Sequence, residues 1–443
     1  MKRGMKQLLA LATAAVLMVQ PILAAKVPDG YKSPFPDVQE GDWYYPFVAS
    51  LNSRTIISGY TDGHFGPNDP TRLGDALIMI LRAAQVGTQR TEAGDHYASR
   101  YANYAVNRGW LEEGQISDLS GPVTRLTTAQ VAAKALGLAP SESETPFADV
   151  DDRYVTALYE AGVISGSVEG DREVFHPEAS LTRAEMSVIV WQIRERTGYV
   201  TFRDEQIPVL DFVPVNCWLA EGFSMEDGRA SYRADGVEAR LGVDVSHMQG
   251  KIDWEAVADD GVEFAMIRAG GRGYGVNTGT LYEDTRFHEN LKGAQAAGLQ
   301  VGSYFFSQAT SAQEAEEEAR FLLDLLEGAE LTGPVVFDWE NIDYAAARTD
   351  NVDVATLTAA AQAFCQTIEQ AGYQPMIYLN QYMAYLRYNL AQVCSYPFWL
   401  AQYGEAPDFP YEFWMWQYTD QGQVNGIRGN VDLNLFFAPP EVG

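Results

Sequence analysis

Three cysteines in 443 residues, Cys217, Cys365 and Cys394, are too few for a disulfide framework and show no metal-ligand spacing. One Cys365–Cys394 bridge and three reduced thiols are both compatible with that count. The five histidines are scattered, so no zinc site is visible, and neither a metal nor a cofactor is expected. Basic residues are scarce as well. Against 60 Asp and Glu stand 31 Lys and Arg, a net charge of −29, which excludes the concentrated cationic surface that nucleic acid requires. No apolar run beyond the N-terminus is long enough to cross a bilayer. At the N-terminus itself, Lys2, Arg3 and Lys6 precede a short apolar run over 8–19, which reads as a signal peptide (1–25) cleaved near Ala24 or Ala25. A retained membrane anchor is the competing reading. A secreted mature chain without a membrane span is expected.

What is present is core material. With 47% hydrophobic and 12% aromatic residues the chain can bury several cores, and its length suits two to four domains. The first half repeats itself. Phe35-Pro36-Asp37-Val38 leads through Trp43, Ile56-Ile57-Ser58-Gly59-Tyr60, Asp62-Gly63, Phe65 and Pro67 to Thr71-Arg72. The same order returns as Phe147-Ala148-Asp149-Val150, Val163-Ile164-Ser165-Gly166, Phe175, Pro177 and Thr182-Arg183-Ala184-Glu185. A weaker middle copy passes from Asp95 through Tyr104, Arg108-Gly109-Trp110 and Pro122 to Thr124-Arg125, without the Phe-x-Asp-Val opening or the Gly-Tyr-x-Asp-Gly turn. Each unit reads as helix, glycine-punctuated turn, helix, and is too small to bury its apolar face alone, so three should pack together.

These repeats resemble the surface-layer-homology module. The resemblance implies an all-α bundle of three repeats with pseudo-threefold symmetry (30–88, 89–140 and 141–200) that grips secondary cell wall polysaccharide in its grooves. It further implies that Arg72, Arg125 and Arg183 meet acidic groups on that polymer, a task suited to a planar guanidinium. Capping and salt-bridging inside the bundle are the alternative for all three. Residues 201–238 lack both repeat and long periodicity and are expected as a linker, although the apolar stretch 209–218 is suited to packing on a neighbour.

From residue 239 to 443, short apolar runs alternate with amphipathic stretches, the pattern of a β/α layered or barrel fold. Strands are expected over 241–245, 264–268, 300–306, 334–339, 375–379, 398–402, 413–418 and 427–433, with helices over 312–326 and 354–371. Acidic residues stand at the strand ends, where such barrels gather catalytic groups. Asp244 closes the first strand, Asp338 and Glu340 the fourth, and Asp432 lies near the last. Side-chain alternation puts Asp338 and Glu340 on one face and Trp339 on the other. Like charges held close and shielded from water raise the proton affinity of one member, and a protonated carboxyl near neutral pH is what a glycosidase uses as general acid.

The stretches Gly242-Val243-Asp244-Val245-Ser246, Gln249-Gly250, Ile252-Asp253-Trp254, Phe264-Ala265-Met266-Ile267-Arg268-Ala269, Gly302-Ser303-Tyr304-Phe305, Asp338-Trp339-Glu340, Trp416-Gln417-Tyr418 and Val431-Asp432-Leu433-Asn434 resemble the glycoside hydrolase family 25 N-acetylmuramidases. The resemblance implies a modified TIM-like β/α barrel acting on the β-1,4 bond between N-acetylmuramic acid and N-acetylglucosamine in peptidoglycan. Glu340 would be the general acid and Asp244, Asp338 and Asp432 its supporting carboxylates. The Asp338/Glu340 spacing suits a substrate-assisted reaction, in which the acetamido oxygen attacks. Tyr304, Tyr378, Trp399, Trp416 and Tyr418 are candidate sugar platforms, with core packing as the alternative, and Gln417 joins the substrate-binding candidates. The glycine-rich stretch 270–275 reads as an active-site loop. An inactive wall-binding protein and a hydrolase of another acetamido polysaccharide remain the competing functions.

Overall fold

The structure, a computed structural model, describes residues 25–88, 91–275, 279–342 and 346–437. Apart from Ala25, the expected signal peptide lies outside the described residues. The chain forms two compact units, Met1–Asp211 and Phe212–Gly443.

The first unit holds helices α1 (Tyr45–Ser53), α2 (Leu73–Ala83), α3 (Ser99–Asn107), α4 (Arg125–Ala135), α5 (Arg153–Glu160) and α6 (Arg183–Thr197). The repeated motif has a direct physical basis. Asp37 accepts the backbone N–H groups of Phe65 (2.9 Å) and Gly66 (2.8 Å), and Asp149 accepts those of Phe175 and His176 (both 2.7 Å), so each opening aspartate fastens the turn of its own repeat. Gly59 and Gly166 leave room for the rings of Phe35 and Phe147, which a Cβ would meet at 2.6 Å.

The three copies close into a ring through their second helices. The first N–H groups of an α-helix have no partner within it. Here Leu73 and Gly74 donate to Gly121 and Leu119 of the second repeat. Arg125 and Leu126 donate to Ala179 and Pro177 of the third, and Arg183 and Ala184 to Asp69 and Pro67 of the first.

The expectation of an all-α bundle is not met. A hairpin of β1 (Ser167–Glu169) and β2 (Arg172–Val174) forms in the third repeat, because Gly170 at φ +64° permits the tight turn. Extended bridges Pro70↔Thr182, Arg72↔Pro122 and Thr124↔Ser180 link the segments before the second helices. A second hairpin, β3 (Tyr199–Phe202) with β4 (Glu205–Pro208), turns at Arg203 and Asp204, both at positive φ. Arg194 ties the chain beyond it to α6 through Val209 O (2.8 Å) and Asp211 (2.7 Å).

The wall-polymer candidates occupy unlike places. Arg183 is buried, with Nε on Phe65 O (2.7 Å), one amino group on Ser58 O (2.8 Å) and the other on Asp75 (2.9 Å). Arg125, half-buried, donates Nε to Phe175 O (2.7 Å) and reaches Ser165 O (3.4 Å), the equivalent carbonyls one repeat on. Arg72 points at the second repeat, which has no such turn; its exposed guanidinium faces the Tyr97 hydroxyl of that repeat and lies 5.7 Å from the Tyr60 ring. The structure thus gives Arg183 and Arg125 the bundle-internal role and leaves Arg72 facing solvent.

In the second unit, residues 212–238 are not a free tether. They carry β5 (Phe223–Glu226), β6 (Arg229–Ala234) and β7 (Val237–Glu238), a three-stranded antiparallel sheet. Trp218 stacks on Phe437 at 4.3 Å and donates Nε1 to Phe413 O (2.8 Å), while Phe223 meets Trp416 edge-on at 5.3 Å. The rest alternates β8 (Arg240–Val245), α7 (Trp254–Asp259), β9 (Phe264–Arg272), β10 (Leu281–Glu283), α8 (Phe287–Ala296), β11 (Gln300–Ser307), α9 (Ala312–Leu326), β12 (Val335–Trp339), α10 (Val354–Gln370), β13 (Pro375–Asn380), α11 (Leu390–Val393), β14 (Phe398–Ala401), β15 (Met415–Gly422) and β16 (Val431–Phe436). Strands β8, β9 and β11 to β15 run parallel. Strand β16, antiparallel to β15 and β8, closes the barrel, and β10 hangs on β9. The last strand begins four residues later than its expected start because Gly426 (φ +93°) and Gly429 (φ +81°) turn the chain first. Gly242 and Gly302 face the lumen, where a Cβ would meet Phe264 at 2.3 Å and Met266 at 2.5 Å, so large side chains of β9 fill their space. Among the described residues no helix is long and apolar enough to cross a membrane, and no disulfide joins Cys217, Cys365 or Cys394.

Because Arg183→Ala strands two loop carbonyls and leaves Asp75 with only the Tyr97 hydroxyl, it should destabilise the first unit by about 3 kcal/mol, whereas Arg72→Ala should cost under about 1 kcal/mol. Hydrogen exchange of α2 and α6 in the full chain measures both. Equal effects would contradict the contrast between the two arginines.

Candidate active site

Parallel strands deliver their C-terminal ends to one mouth of a barrel, and β16, running the other way, delivers its N-terminal end there. Asp244 at the end of β8 is therefore directly opposite Asp432 at the start of β16. Asp338 and Glu340 come from the end of β12 and the residue beyond it. All four acidic residues singled out in the sequence meet at this mouth.

Their surroundings are low in water but supplied with donors. Asp244, buried, accepts from Gln417 Nε2 (2.9 Å) and Asn434 Nδ2 (2.8 Å), and Gln417 also reaches Asp432 at 3.4 Å. Tyr378 donates to Gln417 Oε1 (3.0 Å), as does Tyr403 (3.3 Å), and Trp399 donates to Asn434 Oδ1 (2.8 Å). Burial raises the Asp244 carboxyl against the pull of those amides. Burial, with Asp244 alongside, pushes Asp432 up to about 8. Burial and then the Glu340 charge hold Asp338 well above the usual carboxylate range, and Arg268 opposes them. Burial raises Glu340 too. In each pair, Asp244/Asp432 and Asp338/Glu340, carboxyl lies beside carboxyl: the Asp244 charge favours the protonated form of Asp432, and the Glu340 charge that of Asp338.

Of the aromatic candidates, Tyr304 and Tyr378 lie in the lumen beneath the carboxyls, each edge-on to Trp399, at 6.0 and 5.1 Å. Trp416 and Tyr418 do not reach the site. They alternate with Gln417 along β15, and both are buried on the outer face beneath the 223–234 sheet. Glycines 270 and 271 belong to β9, and a Cβ at Gly270 would stand 2.2 Å from Tyr282 O.

Sequence reasoning gave no role to Asn434, which the period-2 rule places on the face of Asp432. It also passed over Tyr403, exposed at the mouth, and the cluster in which buried Asp284 receives Arg268 Nε (2.9 Å), His247 N (3.0 Å) and His247 Nδ1 (2.9 Å). Burial would raise Asp284, but the backbone N–H groups of Arg286 and His247, the His247 ring and Arg268 lower it, so it carries the charge that holds Arg268 toward Asp338.

A closed β/α barrel with two carboxyl pairs of raised proton affinity at its C-terminal mouth is the class of site this unit defines. The model of "Glycosyl hydrolases family 25" matches residues 243–427, and that of the "S-layer homology domain" matches 34–77 and 147–187. The chain is 28% identical over 197 residues to the autolytic lysozyme of Clostridium acetobutylicum, covering 44% of this chain and 55% of that protein. It is 32% identical over 205 residues to the uncharacterized protein YegX of Escherichia coli K12 (44% and 68% covered) and 31% identical over 207 residues to lysozyme M1 of Streptomyces globisporus (44% and 67%). It thus spans little more than half of the first of these relatives. The chain belongs to glycosyl hydrolase family 25 and carries S-layer homology repeats before the family domain.

The raised Asp432 carboxyl has a consequence for stability. Folded, it keeps its proton to about pH 8, whereas unfolded Asp releases it near about pH 4. The stabilisation is fully present below the unfolded value and is lost as pH rises through the folded one. The melting temperature of the second unit should therefore fall between about pH 4 and 8, and Asp432→Asn should flatten that slope. Identical slopes would remove Asp432 from the account.

Proposed function

We propose that the chain is a cell-surface peptidoglycan hydrolase that cleaves the β-1,4 bond between N-acetylmuramic acid and N-acetylglucosamine. The observation that carries this is the gathering of Asp244, Asp432, Asp338 and Glu340 at the mouth of a family 25 barrel; the names of the lysozyme relatives supply the wall substrate. The repeats at 30–88, 89–140 and 141–200 hold the enzyme to secondary cell wall polysaccharide, with Arg72 the arginine free to meet an acidic group. The segment 201–238 joins them to the catalytic region 239–443, and the leader directs the chain to secretion.

In this reading Glu340 gives its proton to the glycosidic oxygen. Asp338 stands on the same side of the bond, close enough to share that proton, whereas the two carboxyls of a retaining double displacement sit about 5 Å apart on opposite faces of the sugar. The arrangement favours substrate assistance: the acetamido oxygen of the substrate attacks the anomeric carbon as the bond to the leaving oxygen breaks. Asp338 steadies the acetamido N–H, and water opens the resulting ring. Asp244 and Asp432, held by Gln417 and Asn434, set the negative field in which positive charge develops.

Glu340→Gln keeps the shape and removes the acid, so turnover on purified peptidoglycan should fall by about 10²- to 10⁴-fold with wall binding intact. Asp338→Asn should lose activity on every substrate, with no glycosyl-enzyme adduct trapped. Near-normal turnover in Glu340→Gln would sink the catalytic assignment, and a new N-acetylglucosamine reducing end would change the bond. Arg72→Ala should weaken sedimentation with wall sacculi that retain their secondary polymer and leave hydrolysis of soluble glycan unaltered. Unchanged sedimentation would take Arg72 out of the anchoring site.

A further inference from the structure

Glu340 stands past the end of its strand. The last register pairs of β12 are Ser307↔Trp339 on one side and Asp338↔Tyr378 on the other, so no sheet ladder holds the residue proposed as acid. Side chains hold it instead. Gln308, fully buried, donates Nε2 to Glu340 O (3.1 Å) and to Ser307 O (2.8 Å), and its Oε1 accepts from Thr349 Oγ1 (3.4 Å). Trp339 donates Nε1 to Ala309 O at 3.0 Å. From the other flank comes Arg387, the last residue of a π-helical turn, Met383–Arg387, that follows β13. Its guanidinium lies 5.2 Å from the Trp339 ring centroid and donates to Asn341 Oδ1 (2.9 Å) and Val352 O (2.7 Å). Isolated π turns are rare and cluster at functional sites. A buried amide is retained only where its hydrogen bonds are made, and here they are made to the backbone on either side of the site.

We propose that Gln308 and Arg387 are positioning residues that clamp residues 339–341 from opposite flanks and so fix the Glu340 carboxyl against the scissile oxygen. The proposal rests on Glu340 being the acid. Neither residue is placed to do chemistry: Gln308 acts through the Glu340 carbonyl, and Arg387 through the flanking side chains of Trp339 and Asn341. Displacements of about 1 Å at a catalytic group cost on the order of 10²-fold in rate.

Gln308→Leu, close in volume but without donors, should lower kcat by about 10²-fold while KM stays within roughly threefold. The pH profile should move as well. Glu340 is faced by Asp338 on its own strand, Asp244 on β8, Asp432 on β16, Tyr378 on β13 and Tyr403 beyond β14. If its carboxyl drifts from the other acids their repulsion weakens, and the basic limb of kcat shifts to lower pH. Arg387→Met should act in the same direction, and it decides the matter if Gln308→Leu does not fold. Melting curves and Glu340→Gln accompany both. A lowered melting temperature with normal kcat and an unmoved pH profile in either folded variant overturns the clamp. An inactive Glu340→Gln beside normal clamp variants overturns the clamp alone, while an active Glu340→Gln removes the acid and the clamp together.

Discussion

Mutual repulsion among four acids in a site largely shut off from water is the constraint around which the second unit is organised. Two full negative charges in each pair would oppose one another and their own burial, so the proton affinity of all four acids is raised. The remaining charge is met by donors whose positions the barrel dictates: Gln417 and Asn434 from the two strands that close it, and Arg268 from β9. The antiparallel run of β16 is what sets Asp432 across from Asp244. Beneath this layer Tyr304, Tyr378 and Trp399 pack edge to face and seal the lumen, which keeps the local dielectric low and the proton affinities high.

The first unit solves a different difficulty, that of repeats too small to stand alone. Its answer is to satisfy the open N-termini of three helices with carbonyls of the next copy, and then to send an arginine after them. Where the second copy has lost its glycine turn, the ring of backbone bonds persists but the arginine of the first copy has no pocket. Divergence of one repeat therefore leaves a cation at the surface, beside Tyr60 and Tyr97, without opening the bundle.

Much of this was legible in the residues. The acidic strand ends, the alternation that sets Asp338 and Glu340 on the face opposite Trp339 and the helix over 312–326 follow from period and spacing, and Ala312–Leu326 is where that helix lies. What the sequence did not disclose depends on partners distant in the chain. Trp416 and Tyr418 looked like sugar platforms because they flank Gln417 in a motif, yet the 223–234 sheet covers them, and nothing local announces that cover. Arg183 looked available for a polymer because the pocket that takes it, formed by Ser58, Phe65 and Asp75, lies more than a hundred residues away. Asn434 was within reach of the alternation rule and was overlooked.

The sheet over 223–234 also bears on how such an enzyme travels between proteins. It roofs the flank of β15 and β16, and Phe223, Trp416, Trp218 and Phe437 share one aromatic layer across that boundary. A recombination event that carried the family-matching span alone into a new gene would leave that layer open to solvent, a sticky face prone to aggregation. The heritable cassette is thus larger than the catalytic signature and begins upstream of it. A junction that exchanges the repeats and keeps this layer covered lies ahead of Pro214, because Pro214 O and Asn216 N also bond to Glu412 and Pro410.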